Sequence, residues 1–342
     1  LEESAIKEGL KCMKPDSDYD NLFESGLARA KADWLIGMNM SRLYSVKYQA
    51  RPVLSVGRVQ TPTLAMIVDR YDKIKGFVKE YYYRIELETE QGFSLKSEEK
   101  YNSEREAEEI LKNTGEYGTV TDFKKKNQKT NPPTLFDLTL LQREANRQLG
   151  YTAQETLDLL QKLYEAKYVT YPRTDSKYIT DDMEDTAKEL VALLNSLKLY
   201  YRLVDDTKPN IKCLINNKKV SDHHALLPTR QVKDEVFHTL PEKQANILRL
   251  ICGRLLVATS TARECFKSKA VVETEGRKYI ATGNTVINEG FKAIEDKVKI
   301  YSKEVNNEKK INIPELSVGE KIHFLNKNVV EQETKPLQLY ND

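Results

Sequence analysis

Two stretches of strand-like alternation, far apart in the chain, limit the architectures open to it. Residues 80–128 include Tyr81-Tyr-Tyr-Arg-Ile-Glu-Leu-Glu-Thr-Glu, whose every-other-residue pattern suits a half-buried strand. A Glu-rich helix over about 103–113 and a strand over 118–123 follow. Residues from about 264 to 328 echo this composition, with strands expected at 270–275, 278–282 and 320–325. Nearly everything between reads as helix. The simplest arrangement is one β-rich domain, 80–129 with 264–336, into which a helical unit, 130–263, is inserted. Lys124, Lys125, Lys126 and Lys129, followed by Pro132 and Pro133, read as a basic linker at the border. The fold class expected is therefore α+β multidomain, with residues 1–79 as a separate helical segment and 337–342 as the start of a return to it.

The helices carry recognisable ends. Ala5, Ile6, Leu10 and Cys12 make a first short apolar stripe, stopped by the Lys14-Pro15-Asp16 turn. From Leu22 to Leu43 runs a long amphipathic pattern, in which Trp34 is most simply core. An apolar run then reaches Gly57, and a helix continues to about Lys75, with Thr61 and Pro62 as its N-cap pair. Thr134 with Asp137 approaches a capping box for a helix that Gly150 stops. Thr152 with Glu155 opens the next one, which leads into Tyr168-Val-Thr-Tyr171. Further helices are expected over about 180–197 and 242–259.

Composition narrows function only a little. The chain has 342 residues, 31% charged, and a net charge of +2, with mean hydropathy −0.61. A basic footprint must therefore come from local clustering. No run of about 18 apolar residues suggests a membrane span, and nothing at the start resembles a signal peptide. Four widely spaced cysteines without a CxxC argue against a zinc ribbon or a disulfide framework and fit a reducing cytosol. The chain starts at Leu1, already in a helical pattern, and reads as a piece of something longer.

Three stretches carry chemistry. Tyr171-Pro-Arg173-Thr-Asp-Ser sets a phenol two residues from a guanidinium. Tyrosine is a covalent nucleophile once its proton, with a free pKa of about 10, is easier to lose. Arginine offers a fixed charge and a forked donor to phosphate oxygens. Asp222-His223-His224 holds two of the four histidines, able to take or give a proton. Ser55-Val56-Gly57-Arg58-Val59-Gln60 precedes a helix start, where free N–H groups favour an anion. Taken singly, each has a plainer reading: a tyrosine in a loop, a structural histidine pair, an exposed corner arginine.

In combination they do not. LSVGRVQTPT (54–63), YVTYPRTDS (168–176), DHHALLPT (222–229) and ARAKADWLIGMNMSRLY (28–44) stand in one order. Together they resemble the type IA DNA topoisomerases, nearest to the bacterial topoisomerase III branch, over essentially the whole chain. The resemblance implies a toroidal body with a helical gate (130–263), a β-rich hinge (80–129 and 264–336) and a helical base (1–79). It implies Tyr171 as the nucleophile of a 5′-phosphotyrosine link, Arg173 on the scissile phosphate, and His223 helping to position it. Asp222 replaces the family's usual alanine. Ser55, Val56, Gly57, Arg58, Val59 and Gln60 would touch single-stranded DNA, in a groove lined by the helix of Arg29 and Asp33. Magnesium would be held by a Toprim domain of the same polypeptide, whose DxDxE cluster is absent from this sequence, so no metal ligand is expected here and the chain alone is expected to be inactive. An ATP-independent, monomeric, cytoplasmic enzyme of the nucleoid follows from the same resemblance. Two rivals stay in view: a non-catalytic single-strand binder, and a tyrosine recombinase or relaxase. The last two fit poorly, since Tyr171 precedes His223 and no metal-binding histidine cluster exists.

Overall fold

The computed structural model describes residue 7 and residues 9–205, 209–220, 222–300 and 312–340. Ala5, Ile6, Ser221 and the last two residues of the expected return segment lie outside the described residues. Two compact units divide the chain: Leu1–Tyr81 with Glu333–Asp342, and Tyr82–Gln332.

The first unit is built on helices α1 (Asp20–Lys47) and α2 (Gln60–Lys75). Neither contains a buried residue. Trp34, expected in a core, is 66% exposed. Two helices and a connecting segment supply too few neighbours to cover a side chain of that size. Helix α2 begins one residue earlier than its expected cap. Val59 is the N-cap residue, and Thr61 instead turns its hydroxyl back to accept from the Gly57 N–H (3.1 Å). Pro62 sits in the first turn, where a missing N–H costs nothing. Residues 333–340 return to this unit. Lys79 pairs with Glu333 (2.7 Å), Thr334 bonds Glu80, and Arg70 donates to the Gln338 carbonyl while stacking 4.0 Å from the Tyr340 ring.

The second unit holds two hydrophobic clusters. One fills a closed antiparallel barrel of strands β1 (Tyr81–Thr89), β2 (Ser94–Ser97), β3 (Tyr117–Thr130), β4 (Arg263–Thr274), β5 (Arg277–Asn288) and β6 (Lys321–Glu333), in the order β1-β2-β5-β4-β3-β6. Alternation drives it: Ile85 and Leu87 face in while Glu86, paired with Lys96 across the β1–β2 ladder, faces out. Gly118 lets the barrel close, since a Cβ there would stand 2.5 Å from Val272 and 2.7 Å from Phe324. Helix α3 (Glu104–Lys112), capped by Ser103, adds Ala107 to this cluster. The basic linker expected at Lys124–Lys126 and Lys129 is instead part of a strand. Those residues belong to β3, paired with β4 along Glu264–Lys269. Lysines can occupy a strand whose side chains reach water.

The other cluster is helical: α4 (Leu138–Leu149), α5 (Ala153–Glu165), α6 (Glu184–Ser196) and α7 (Glu242–Ala258). Twelve of the 17 residues of α7 are buried, so beyond its exposed first turn it has no solvent face and serves as the hub. Helix α8 (Phe291–Val298), not foreseen in the strand-rich stretch, packs Ile294 and Val298 on this cluster. The cap of α4 is Asp137 itself, accepting from the Leu140 N–H at 2.6 Å, and not Thr134. Gly150 ends that helix in the left-handed conformation, and Thr152 caps α5 by accepting from the Glu155 N–H (3.1 Å).

Candidate functional site

Helix α5 ends in a tight reversal. The Tyr168 N–H reaches the Leu163 carbonyl and the Lys167 N–H reaches Tyr164, with Lys167 at φ 64°. The chain then runs extended beside residues 225–229. The Thr170 N–H donates to the Leu227 carbonyl (3.0 Å), and the Thr229 N–H donates to Tyr168 (2.9 Å). The Leu227 N–H donates to the Thr170 hydroxyl (2.9 Å). The β-run expected at 168–171 is thus a single bridge, Val169 to Pro228.

This stitching brings Tyr171 to His223. Their ring centroids lie 4.3 Å apart at 34°. On the other side Tyr164 meets the Tyr171 ring edge-on, at 5.6 Å and 88°. From 171 to 176 the extended backbone alternates: Tyr171, Arg173 and Asp175 are exposed, and Pro172, Thr174 and Ser176 are buried. The phenol and the guanidinium therefore share one face. The buried hydroxyls hold that face in place. Thr174 donates to the His223 carbonyl (3.1 Å), and Ser176 donates to the Lys219 carbonyl (2.9 Å). Arg173 forms no ion pair with another described residue, while Lys177 reaches the cap carboxylate of Asp137 at 3.6 Å. His224 turns away, with its Nδ1 2.8 Å from the Ala225 carbonyl oxygen. The arrangement presents a solvent-reachable phenol, a cation and an imidazole to one approaching group.

The second set of expected residues lies in the first unit. Residues 54–58 run along α1 through a stripe spaced four apart: Asp33, Gly37, Ser41 and Ser45. Ser45 accepts from the Leu54 N–H and Ser41 from the Val56 N–H, both at 2.9 Å. Gly37 leaves room for the Val56 carbonyl, 3.5 Å from where a Cβ would sit. Asp33 pairs with Arg58 at 2.8 Å. Gln60 donates to the Ser55 hydroxyl (2.7 Å). Asp33, Gly57, Arg58, Val59 and Gln60 line one open groove of about 720 Å³ with Ile36, Leu64 and Ile67. Ser55 and Val56 are not among its lining residues, and Arg29 lies exposed on α1 one turn before Asp33. The sequence reading missed Tyr164, Ser41 and Ser45. The four-residue spacing of Asp33, Gly37, Ser41 and Ser45 was the available signal for the last two.

Among the described residues no three His, Cys, Asp or Glu side chains gather so as to hold a metal ion, and no helix is long and apolar enough to cross a membrane.

The sequence profile described as DNA topoisomerase matches residues 17–342. DNA topoisomerase 3 of Bacillus subtilis is 36% identical over 99% of this chain and 48% of its own length. The Bacillus cereus protein of the same name is 37% identical over 85% of this chain and 41% of its own. The chain thus spans about half the length of the curated relatives it matches. The solved full-length topoisomerase I from Thermotoga maritima superposes on 92% of this chain and 51% of its own, with TM-score 0.67 and 25% identity. A profile covering residues 17–342, relatives above a third identical and a shared α+β fold lead to one conclusion: this chain belongs to the type IA DNA topoisomerases.

Proposed function

We propose that this chain is the strand-cutting body of a bacterial type IA topoisomerase, in which Tyr171 attacks a phosphodiester of single-stranded DNA. The observation that carries the reading is the exposed phenol, 4.3 Å from the His223 ring, with Arg173 on the same face. The phenolic oxygen forms a bond to phosphorus and gives up its proton. The bond from phosphorus to O3′ breaks, and the departing O3′ takes up a proton. A 5′-phosphotyrosine and a 3′-hydroxyl result. One ester replaces another, so the reverse attack reseals the strand without ATP. Charge on the phosphoryl oxygens is met by the Arg173 fork and by a ring N–H of His223.

The loop of Ser55, Val56, Gly57, Arg58, Val59 and Gln60, with Asp33 and Arg29 on α1, is proposed to guide the strand. The Arg58–Asp33 pair is exposed and contributes on the order of 0–1 kcal/mol, so a phosphate can displace it at small cost. Residues 130–263 are assigned as the gate, 80–129 with 264–336 as the hinge, 1–79 as the base and 337–342 as the return. The gate lifts for strand passage, giving relaxation or decatenation. Among the described residues no group of carboxylates, histidines or cysteines could hold magnesium; a Toprim domain of the same monomeric, cytoplasmic polypeptide is proposed to hold it. By itself the chain then binds single strands without turnover.

Mixing the chain with that metal-binding domain, magnesium and a labelled oligonucleotide tests this on a denaturing gel. A protein-linked band that disappears in Tyr171→Phe is expected. A band that survives the substitution removes Tyr171 from the chemistry.

A further inference from the structure

The outer face of the barrel carries a lysine array that the cleavage chemistry does not use. In the β3–β4–β5 ladder, Lys124 stands opposite Lys269, which stands opposite Thr282. One step along, Lys126 stands opposite Lys267, which stands opposite Asn284. Side chains directly across a ladder share a face, so the four ammonium groups form a two-by-two block. Its rows are about 6.8 Å apart along the strands and its columns about 4.8 Å across. Like charges placed directly opposite destabilise a sheet, so the block works against the stability of the barrel. Little neutralises it. Lys124 has Asp122 at 2.9 Å, whereas Lys126, Lys267 and Lys269 are exposed and have no ion-pair partner among the described residues.

The block borders an open groove of about 620 Å³. At its edge the Asn284 Oδ1 is buried and has no hydrogen-bond partner. A half-turn of that amide presents two N–H donors instead. Among the described residues no aromatic side chain lines the groove. Single strands are gripped largely by stacking on aromatic rings. A surface of cations and an amide, without rings, matches a polymer that offers only its phosphates.

The geometry points to a docking surface for the phosphate backbone of double-stranded DNA, centred on Lys126, Lys267 and Lys269. Duplex DNA carries one negative charge per roughly 1.7 Å of axis, and three lysines release about three counterions on binding it. This inference goes beyond the phosphotyrosine reading and stands without it.

The test uses the whole chain, a blunt-ended duplex and a single-stranded oligonucleotide of equal length, titrated across a salt series. K126Q/K267Q/K269Q is expected to bind duplex about tenfold more weakly at low salt. The slope of log K against log salt should flatten by about 0.9 for each lysine that contacts a phosphate. Single-strand binding should be unchanged. A charge-matched control, K112Q/K278Q/K321Q, removes three exposed lysines from elsewhere on the barrel unit and should leave duplex affinity as it was. The array variant should melt no lower than the parent, because removing opposed like charges relieves repulsion. Equal losses from both triples, no loss from the array triple, or a loss accompanied by a lower melting temperature each overturn the assignment. The titration reads equilibrium binding and involves no strand cleavage, so failure of the cleavage reading and failure of this one are told apart.

Discussion

The two units hide their apolar side chains to opposite degrees. In residues 82–332, leucines such as Leu141, Leu160 and Leu194 are completely buried, and α7 is enclosed beyond its first turn. In the first unit, Phe23, Trp34, Leu35, Leu64 and Ile67 are 47–66% exposed. One region is specified by burial. The other is specified by helix pattern and by a few polar contacts, the serine bonds along α1 among them. Apolar exposure on this scale suits an interaction surface, whereas the packed region can hold a reacting group still. The proposed division of labour follows that contrast: chemistry on the packed unit, strand guidance on the open one.

The largest expected effect separates those roles. Tyr171→Phe in the full-length enzyme should remove covalent adducts by at least about four orders of magnitude, while single-strand affinity stays within about twofold. A parallel loss of binding would erase the division. Next comes packing. Leu160→Ala should cost about 2–5 kcal/mol in denaturant unfolding of this chain, and Trp34→Ala less than about 0.5 kcal/mol. Similar costs would show that Trp34 is covered in solution. Arg58→Ala should weaken single-strand binding a few-fold and flatten the salt slope by about 0.7, one phosphate's share. An unchanged slope removes Arg58 from the strand path.

The smallest effect concerns pH and the packed unit alone. Burial pushes the Glu144 carboxyl up, but hydrogen bonds from Arg147 and Gln148 outweigh it and hold it below the usual carboxylate range. A pKa lower in the folded state stabilises the fold above the unfolded value, about 4.3, and that contribution is lost as pH falls through the folded value. Melting curves taken from neutral to acid pH should therefore converge for the parent and Glu144→Gln at the acid end. A constant gap between them would mean that the carboxylate's charge is irrelevant.

Much of the architecture was legible because local signals agreed with packing. Thr152 with Glu155, Gly150 and the alternation at 85–88 each name their own structure. Other features were hidden for physical reasons. Lys124, Lys125 and Lys126 look like linker because nothing in their hydropathy reports the β4 partner that pairs with them. Trp34 looks like core because size and apolarity predict burial only where neighbours exist to provide it. Thr134 lost the cap to Asp137, the carboxylate whose oxygen reaches the Leu140 N–H. Within the candidate site, the spacing of Tyr171 and Arg173 was visible, since alternation alone sets both on one face. The approach of His223 was implied by the family resemblance and not by any local pattern. It is made by bridges between residues 168–170 and 225–229, a long-range pairing that leaves no periodic trace in either stretch.

The alternate anchoring of residues 171–176 has a mechanical consequence. Under the proposed chemistry, a cut strand hangs from the polypeptide at one ring, and every tug of the DNA is felt there. The segment behind that ring is fastened by the hydroxyls of Thr170, Thr174 and Ser176 as well as by backbone bonds to the neighbouring stretch. A pull along its length loads these fasteners together in shear instead of peeling them one by one. The tether is therefore stiff at its root, and motion under tension falls to the joints farther away.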